Sequence, residues 1–355
     1  MKQWLGDQWL PVVAIGFLIL LAIGWVTSPE MVRMTGDTMG RPYQVSVEMP
    51  RWRSTEHLHS ELRDRIRAVE SMVDDTDPLS AISRLNATSG RKFVGVDPVL
   101  FRWLSVAKTL SEGTAHAYDP TMATVMTLWG IGTPRAMVPL SSELNVAWAS
   151  SGISHVRLES GCVAREVDGV TLSLGGIRDG VVADGIAETL RANGYRRFFI
   201  EVGDAVVAGR PRSGSTGWQV GVGIPAVGAT AARGLGLVAV TDHAVASCVK
   251  DRQVLVVGST RYSGIIDGRT MQPVTNNVLN VTVIASNAVL AQGLAVALSI
   301  TGPEEGRRLA ARYPGVRVMW VVRGTDGGDH LSVANGFDRY FLIDPDAKVV
   351  TGNDQ

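Results

Sequence analysis

Residues 8–29 contain no charged side chain, and the core of that run reads LPVVAIGFLILLAIGWV. Wound as a helix at 1.5 Å per residue, such a run spans roughly 30 Å, one hydrocarbon thickness. Trp4, Trp9 and Trp25 stand where interfacial anchors would stand. A secretory signal is the alternative, with Ala22-x-Gly24 as its cleavage site. The apolar region of a signal is ordinarily about 7–15 residues, shorter than this one. Lys2 and the α-amine precede the run, partly offset by Asp7, and no second run of the kind follows. The expectation is a cytoplasmic tail and membrane anchor, or uncleaved signal, over residues 1–33. A globular body outside the membrane over 34–346 and a polar, frayed tail over 347–355 would follow.

The remaining sequence is that of a folded protein. Hydrophobic residues make up 45% and charged residues 19%, which excludes a disordered chain, a collagen-like repeat or a disulfide-framework miniprotein. Lys and Arg number 34, as do Asp and Glu. A net charge of zero argues against nucleic acid as the main partner, since phosphate binding needs a basic excess. Cys162 and Cys248 are too few for a metal cage. They read as two free buried thiols, or as one bridge in an oxidising compartment.

Leu58, Leu62, Ile66, Val69 and Val73 recur at helical spacing behind Ser54 or Thr55 as N-cap. Asp97-Pro98, a cap and an N1 proline, opens a second helix through Leu100, Trp103, Leu104, Ala107 and Leu110. Further helices are predicted over about 180–193, over about 287–301 with a stop at Gly302, and from Pro303. Period-2, β-branched stretches lie between them: YQVSVEM, RRFFIEV, WQVGVGI, RQVLVVG, NVTVIA and VRVMWVV. Helices and strands mix without strict βαβ alternation, which favours an α+β fold over a doubly wound sheet.

Several familiar chemistries are excluded. There is no P-loop and no G-x-S-x-G, and GVGIPAVG at 221–228 leads into no helix pattern. The six histidines form no metal-ligand spacing.

Six segments in order do carry a signal: MGRPY (39–43), SAISRLN (80–86), AYDPTMATVMTLWGIG (117–132), LGGIRDGVVADGIAETL (174–190), YSGIIDGRTMQPV (262–274) and VTVIASNAVLAQGLAVALSITG (281–302). Together they resemble the FAD:protein FMN transferases, the ApbE-like family. The resemblance implies a single large α+β domain, related to the T-fold, on the outer side of a bacterial inner membrane. It implies FAD as substrate, a Mg²⁺ ion, and transfer of FMN to a threonine of an acceptor protein in a membrane or periplasmic redox system. The reaction is phosphoryl transfer to an alcohol.

The resemblance carries over residue by residue. It implies contacts to FAD from Met39, Ala117, Tyr118, Asp119, Ser173, Asp179, Ile265 and Arg269, with the Leu174-Gly175-Gly176-Ile177 turn opening a helix toward phosphate. Asp119 read without the resemblance is a helix N-cap before Pro120, and Arg269 a surface ion pair. The implied metal contacts are the Gly176 carbonyl and two helix positions occupied here by Gln292 and Val296. The family pattern has Asp and Thr there; glutamine is a weaker, neutral ligand and valine is none. The family histidine is Gly264, the family threonine after Met-Gly is Arg41, and the family TSG segment reads Ser247-Cys248-Val249. Asp179 is the residue from which a lost carboxylate could be replaced, and also an ordinary helix-start carboxylate. These departures leave a second expectation open: a catalytically impaired, FAD-binding or docking paralogue.

Overall fold

The computed structural model describes residues 9–88, 91–131, 137–225, 232–250, 254–347 and 349–351. Lys2, Trp4 and Asp7 of the expected anchor, part of the 221–228 loop and residues 352–355 of the expected tail lie outside the described residues. The helices are α1 (Trp9–Thr27), α2 (Thr55–Val73), α3 (Ala81–Ala87), α4 (Pro98–Gly113), α5 (Ala123–Leu128), α6 (Ser141–Ala149), α7 (Arg178–Ala192) and α8 (Ala288–Ala310). The strands are β1 (Pro29–Thr38), β2 (Arg41–Pro50), β3 (Val94–Gly95), β4 (Val156–Glu159), β5 (Cys162–Arg165), β6 (Phe198–Val202), β7 (Ala205–Ala208), β8 (Trp218–Pro225), β9 (Ala232–Val240) and β10 (His243–Val249). They continue with β11 (Val254–Val257), β12 (Thr260–Ser263), β13 (Ile266–Asp267), β14 (Gln272–Pro273), β15 (Val278–Ala285), β16 (Arg317–Arg323), β17 (Asp329–Ala334), β18 (Phe341–Ile343) and β19 (Val349–Thr351).

Among the described residues, nine strands form one sheet in the order β1-β2-β6-β7-β10-β15-β16-β17-β19. Every pairing in it is antiparallel except β17 with β19. Its central strands are buried on both faces, which is why their sequences read as unbroken apolar runs. Ala205, Val207, Ala244, Ala246, Val281, Val283, Val318 and Trp320 enter the core beneath the helices. The alternate residues Val206, Val245, Ile284, Met319 and Val321 enter a second core beneath the small sheet β18-β9-β8. A slip of one residue would exchange the two sets, so the register is strongly specified.

The helical face is where sequence and structure agree most closely. Ser54 and Asp97 cap α2 and α4, and the five predicted α2 residues are all buried. The last long helix breaks at Gly302, where φ is 71°. The carbonyls freed by that break, Ser299 O and Ile300 O, accept from Asn276 Nδ2 at 2.8 and 3.0 Å. The chain is α+β, with helices gathered on one face of an antiparallel sheet.

The membrane-spanning helix is not supported. Of the uncharged run, α1 takes 19 residues, and the chain leaves it at Ser28 to enter β1 at Pro29, paired with Pro50. Thr27 and Ser28 turn their hydroxyls back onto Ile23 O and Trp25 O. Among the described residues no helix is long and apolar enough to cross a membrane. The single-pass anchor and the extracytoplasmic placement that rested on it are therefore withdrawn. Leu18 and Leu20 of α1 are 63% and 68% exposed, and no described α1 residue joins the cores. Cys162 and Cys248 are half-buried and form no disulfide, so the alternative of a bridge is not realised.

The helices α7 and α8 are joined by Asp184, whose two carboxylate oxygens accept from Ala288 N–H (2.9 Å) and Val289 N–H (3.0 Å). Burial raises its pKa from 3.8 to about 6, against the two backbone hydrogen bonds that lower it; Glu188 adds to the rise and Arg191 opposes it. A raised carboxylate pKa means that the folded state binds the proton more tightly than the unfolded one. That contribution to stability is therefore full below pH 4 and lost as pH rises to about 6. We expect the stability of the wild type relative to Asp184→Asn to fall by roughly 3 kcal/mol between pH 4 and pH 7, measured by urea unfolding. A difference that does not change with pH would show that folding does not shift the Asp184 pKa.

Candidate active site

The β1–β2 hairpin turns on two residues, Met39 and Gly40, at φ 47° and 71°. Both signs are those of a type I′ turn, which matches the twist of the strands it joins. It delivers Arg41 to the first position of β2. There Arg41 Nη2 donates to Asp204 Oδ2 at 2.6 Å and to Asp179 Oδ2 at 3.2 Å. The same Asp179 oxygen accepts from Asp204 N–H at 3.1 Å. Burial lowers the Arg41 pKa, but the two carboxylates outweigh it and hold the guanidinium above its ordinary value. Gly203 makes the cluster possible: its φ is 52°, and a Cβ there would sit 2.3 Å from Asp179 Oδ2 and 2.6 Å from Arg41 Nε.

Ala117, Tyr118 and Asp119 follow two residues of positive φ, Ala115 and His116, and all three are buried. Asp119 is not the cap of a helix, because α5 begins at Ala123 with Met122 at the N-cap. Instead Asp119 Oδ1 accepts from Thr121 N–H (2.8 Å) and Thr121 Oγ1 (2.6 Å), and Oδ2 from Ile153 N–H (3.1 Å). Both oxygens are thus engaged in holding 119–121 against 152–153. Tyr118 lies against the glycine turn: a Cβ on Gly176 would be 2.8 Å from its Cε2. Burial, and secondarily the Asp119 charge, raise its pKa far above normal, so its hydroxyl keeps its proton. That hydroxyl is buried without a partner.

Ser173 N–H donates to Pro120 O at 2.7 Å, which ties the 117–120 segment to the glycine turn. Its hydroxyl accepts from Gly175 N–H at 3.1 Å and is hydrogen-bonded to Asp75. The 262–274 segment closes on the same place: Gly268 N–H donates to Ala117 O, and Ile265 O accepts from Val274 N–H. The structure therefore brings 117–119, 173–179 and 265–269 around one mouth, and the Met39-Gly40 turn is tied to it through Arg41 and Asp179. Arg269 is occupied there. It pairs with Asp267 at 2.9 Å and with Glu305 at 3.0 Å. Hydrogen bonding to Asp267, against partial burial and with help from Glu305, holds it above its ordinary range.

The expected metal contacts do not form a divalent-cation site. Gln292 Oε1 accepts from Gly180 N–H at 2.8 Å, in the first turn of α7. Val296 packs against the apolar core. A hard cation needs several oxygen donors; of the expected contacts only the Gly176 carbonyl keeps an uncommitted oxygen. Asp179 spends Oδ2 on Arg41 and on Asp204 N–H rather than replacing the lost carboxylate. Among the described residues no group of three or more His, Cys, Asp and Glu could hold a metal. Sequence reasoning named Arg41 and Asp179 separately but missed their union with Asp204, and it missed Arg178 altogether. The readable trace of both was the adjacent pair of opposite charges, Arg178-Asp179, at the mouth of a glycine turn.

Comparison with known proteins places the chain in a family. The model of the ApbE family matches residues 39–320. The chain belongs to the ApbE family, a family of flavin transferases. The FAD:protein FMN transferase of Vibrio cholerae serotype O1 is 28% identical over 332 residues, spanning 92% of this chain and 96% of that protein. The FAD:protein FMN transferase of Treponema pallidum is 29% identical over 257 residues, 68% of this chain and 70% of that protein. Among solved structures, the flavin transferase ApbE from Vibrio cholerae superposes with a TM-score of 0.79 at 26% identity, covering 88% of this chain and 99% of that one. The flavinyl transferase ApbE from Pseudomonas stutzeri, in its apo form, gives 0.77 at 25% identity, covering 88% and 97%.

The Arg41 cluster yields a stability test. Arg41→Met leaves two carboxylates close together without a counter-charge. It should lose roughly 2–3 kcal/mol, below the cost for a fully buried pair because Arg41 is partly exposed. Adding Asp179→Asn should recover part of the loss, as coupled neighbours do. Chemical denaturation of the four proteins of the cycle gives the coupling; independent effects would show that the three side chains do not act together.

Proposed function

We propose that the chain is an FAD:protein FMN transferase: it moves the FMN half of FAD onto a threonine hydroxyl of an acceptor redox protein and releases AMP. The observation that carries this reading is the convergence of 117–119, 173–179 and 265–269 on one mouth, in a chain that aligns with such transferases over nearly its whole length. In the step proposed, the threonine oxygen bonds to the phosphorus of the FMN moiety. The P–O bond to the AMP phosphate breaks, and the threonine proton passes to solvent. The chain's own residues bind and orient. Tyr118, whose ring edge lies against Gly176, offers a protonated hydroxyl, and the first turn of α7 presents backbone N–H groups to phosphate. Asp119 and Ser173 hold the two segments in register. The donor set does not match Mg²⁺, so no step is drawn through a metal.

One observation favours a second reading, an FAD-binding or docking paralogue in which transfer is impaired. Gln292 and Val296 stand where the family pattern has oxygen ligands, and the Gln292 oxygen is already taken by Gly180 N–H. Losing a positioned charge-stabilising group typically costs about 10²-fold or more in rate.

Incubation of the protein with FAD and a threonine-bearing acceptor separates the two. Transfer should give an acceptor that stays fluorescent through denaturing electrophoresis and gains the mass of FMN less one water. On the second reading FAD raises the melting temperature, as a ligand of the folded state must, but no acceptor is labelled. In that case Gln292→Asp with Val296→Thr should yield Mg²⁺-dependent labelling, since both oxygens would share one helix face. A folded protein that neither labels the acceptor nor responds to FAD would sink both readings.

A further inference from the structure

We infer that Arg178 provides the positive charge against the diphosphate of FAD, and that FAD binding by this chain consequently needs no divalent cation. The inference rests on the reading of the chain as an FAD-binding protein and names how its substrate is held.

Arg178 is the first residue of α7, directly after the Gly175-Gly176 turn. It is half-buried, and its Nε is buried without a partner. No hydrogen bond, ion pair or ring contact to its side chain is found among the described residues. That sets it apart from Arg41 and Arg269. Arg41 is neutralised by Asp179 and Asp204, and Arg269 by Asp267 and Glu305. The neighbouring Asp179 does not neutralise Arg178 either. Adjacent helix positions point about 100° apart, and Asp179 is committed to the β6–β7 turn. A guanidinium held partly out of water without an acceptor is costly. An anionic ligand with several oxygens relieves that cost, and the planar fork of arginine suits phosphate.

Two independent observations point to the same ligand. The hydroxyl of Tyr118 is an unpartnered donor on a side chain only 4% exposed, with its ring against Gly176. It too lacks an acceptor oxygen, at the same turn. The start of α7 adds backbone donors: Ile177 provides no side-chain cap, and Gly180 N–H is the one taken by Gln292. Arginine, tyrosine hydroxyl and helix N-terminus together form a donor set for a diphosphate. A divalent cation, by contrast, would meet a neutral amide oxygen already in use and a valine. The charge that a metal would bring to the diphosphate is in this chain part of the polypeptide.

The test is titration of the full-length protein with FAD and with riboflavin, each in EDTA and in Mg²⁺, for the wild type and Arg178→Gln. Riboflavin has no phosphate and reports on the flavin contacts alone. Expected are equal FAD affinities of the wild type in EDTA and Mg²⁺, within about twofold. Arg178→Gln should weaken FAD about tenfold or more, as loss of a charge-assisted hydrogen bond does, with riboflavin unchanged and no rescue by Mg²⁺. Circular dichroism melting establishes that the variant is folded; should it not fold, the wild-type comparison still decides. FAD binding that requires Mg²⁺, or a folded Arg178→Gln that binds FAD as the wild type does, overturns this inference and leaves the transferase reading standing. Wild type that binds no FAD under either condition overturns both.

Discussion

Helices α7 and α8 meet backbone to backbone beside the glycine turn. A Cβ on Gly180 would lie 2.7 Å from Ala288 O, so only glycine permits the contact. Once the helices are that close, their ends satisfy each other. Asp184 of α7 takes the first two N–H groups of α8, and Gln292 of α8 takes an N–H of the first turn of α7. Each helix start is thus capped by a side chain of the other helix. Asp184 and Gln292 are among the few buried polar side chains on these helices, and both are satisfied where burial demands it.

This reciprocal capping explains why the metal positions could change without loss of the scaffold. An Asp or Thr facing a cation is a chemical requirement; a side-chain oxygen facing Gly180 N–H is a structural one. Glutamine meets the second and abandons the first. Valine at 296 fills apolar space against the core. Nearby, Arg41 pairs with Asp179 and Asp204. Arg178, by contrast, has no protein partner among the described residues.

Local signals made the elements legible. Caps at Ser54 and Asp97, the break at Gly302 and the alternation within VTVIA each depend on a few neighbouring residues, and the structure keeps all of them. The first strand was not legible: PEMVRMTGDT has no clean alternation, and its pairing with β2 is decided by the turn at Met39-Gly40. The N-terminal run was overread, because apolar composition was continued through Ser28 and Pro29, where the chain leaves the helix for the sheet.

The sequence by itself determined the family, since glycine turns and caps are written in order along the chain. It also determined that Gln292 and Val296 are poor metal ligands, which follows from their side-chain chemistry alone. Only the tertiary structure decided what the replacements do. That Asp119 ties two loops instead of capping a helix, that Arg269 reaches Glu305, and that Asp179 closes on Arg41 rather than on a cation depend on partners 34, 36 and 138 positions away. Charge pairing acts through space and is satisfied by whichever partner the fold brings within reach, so no local pattern could have announced it.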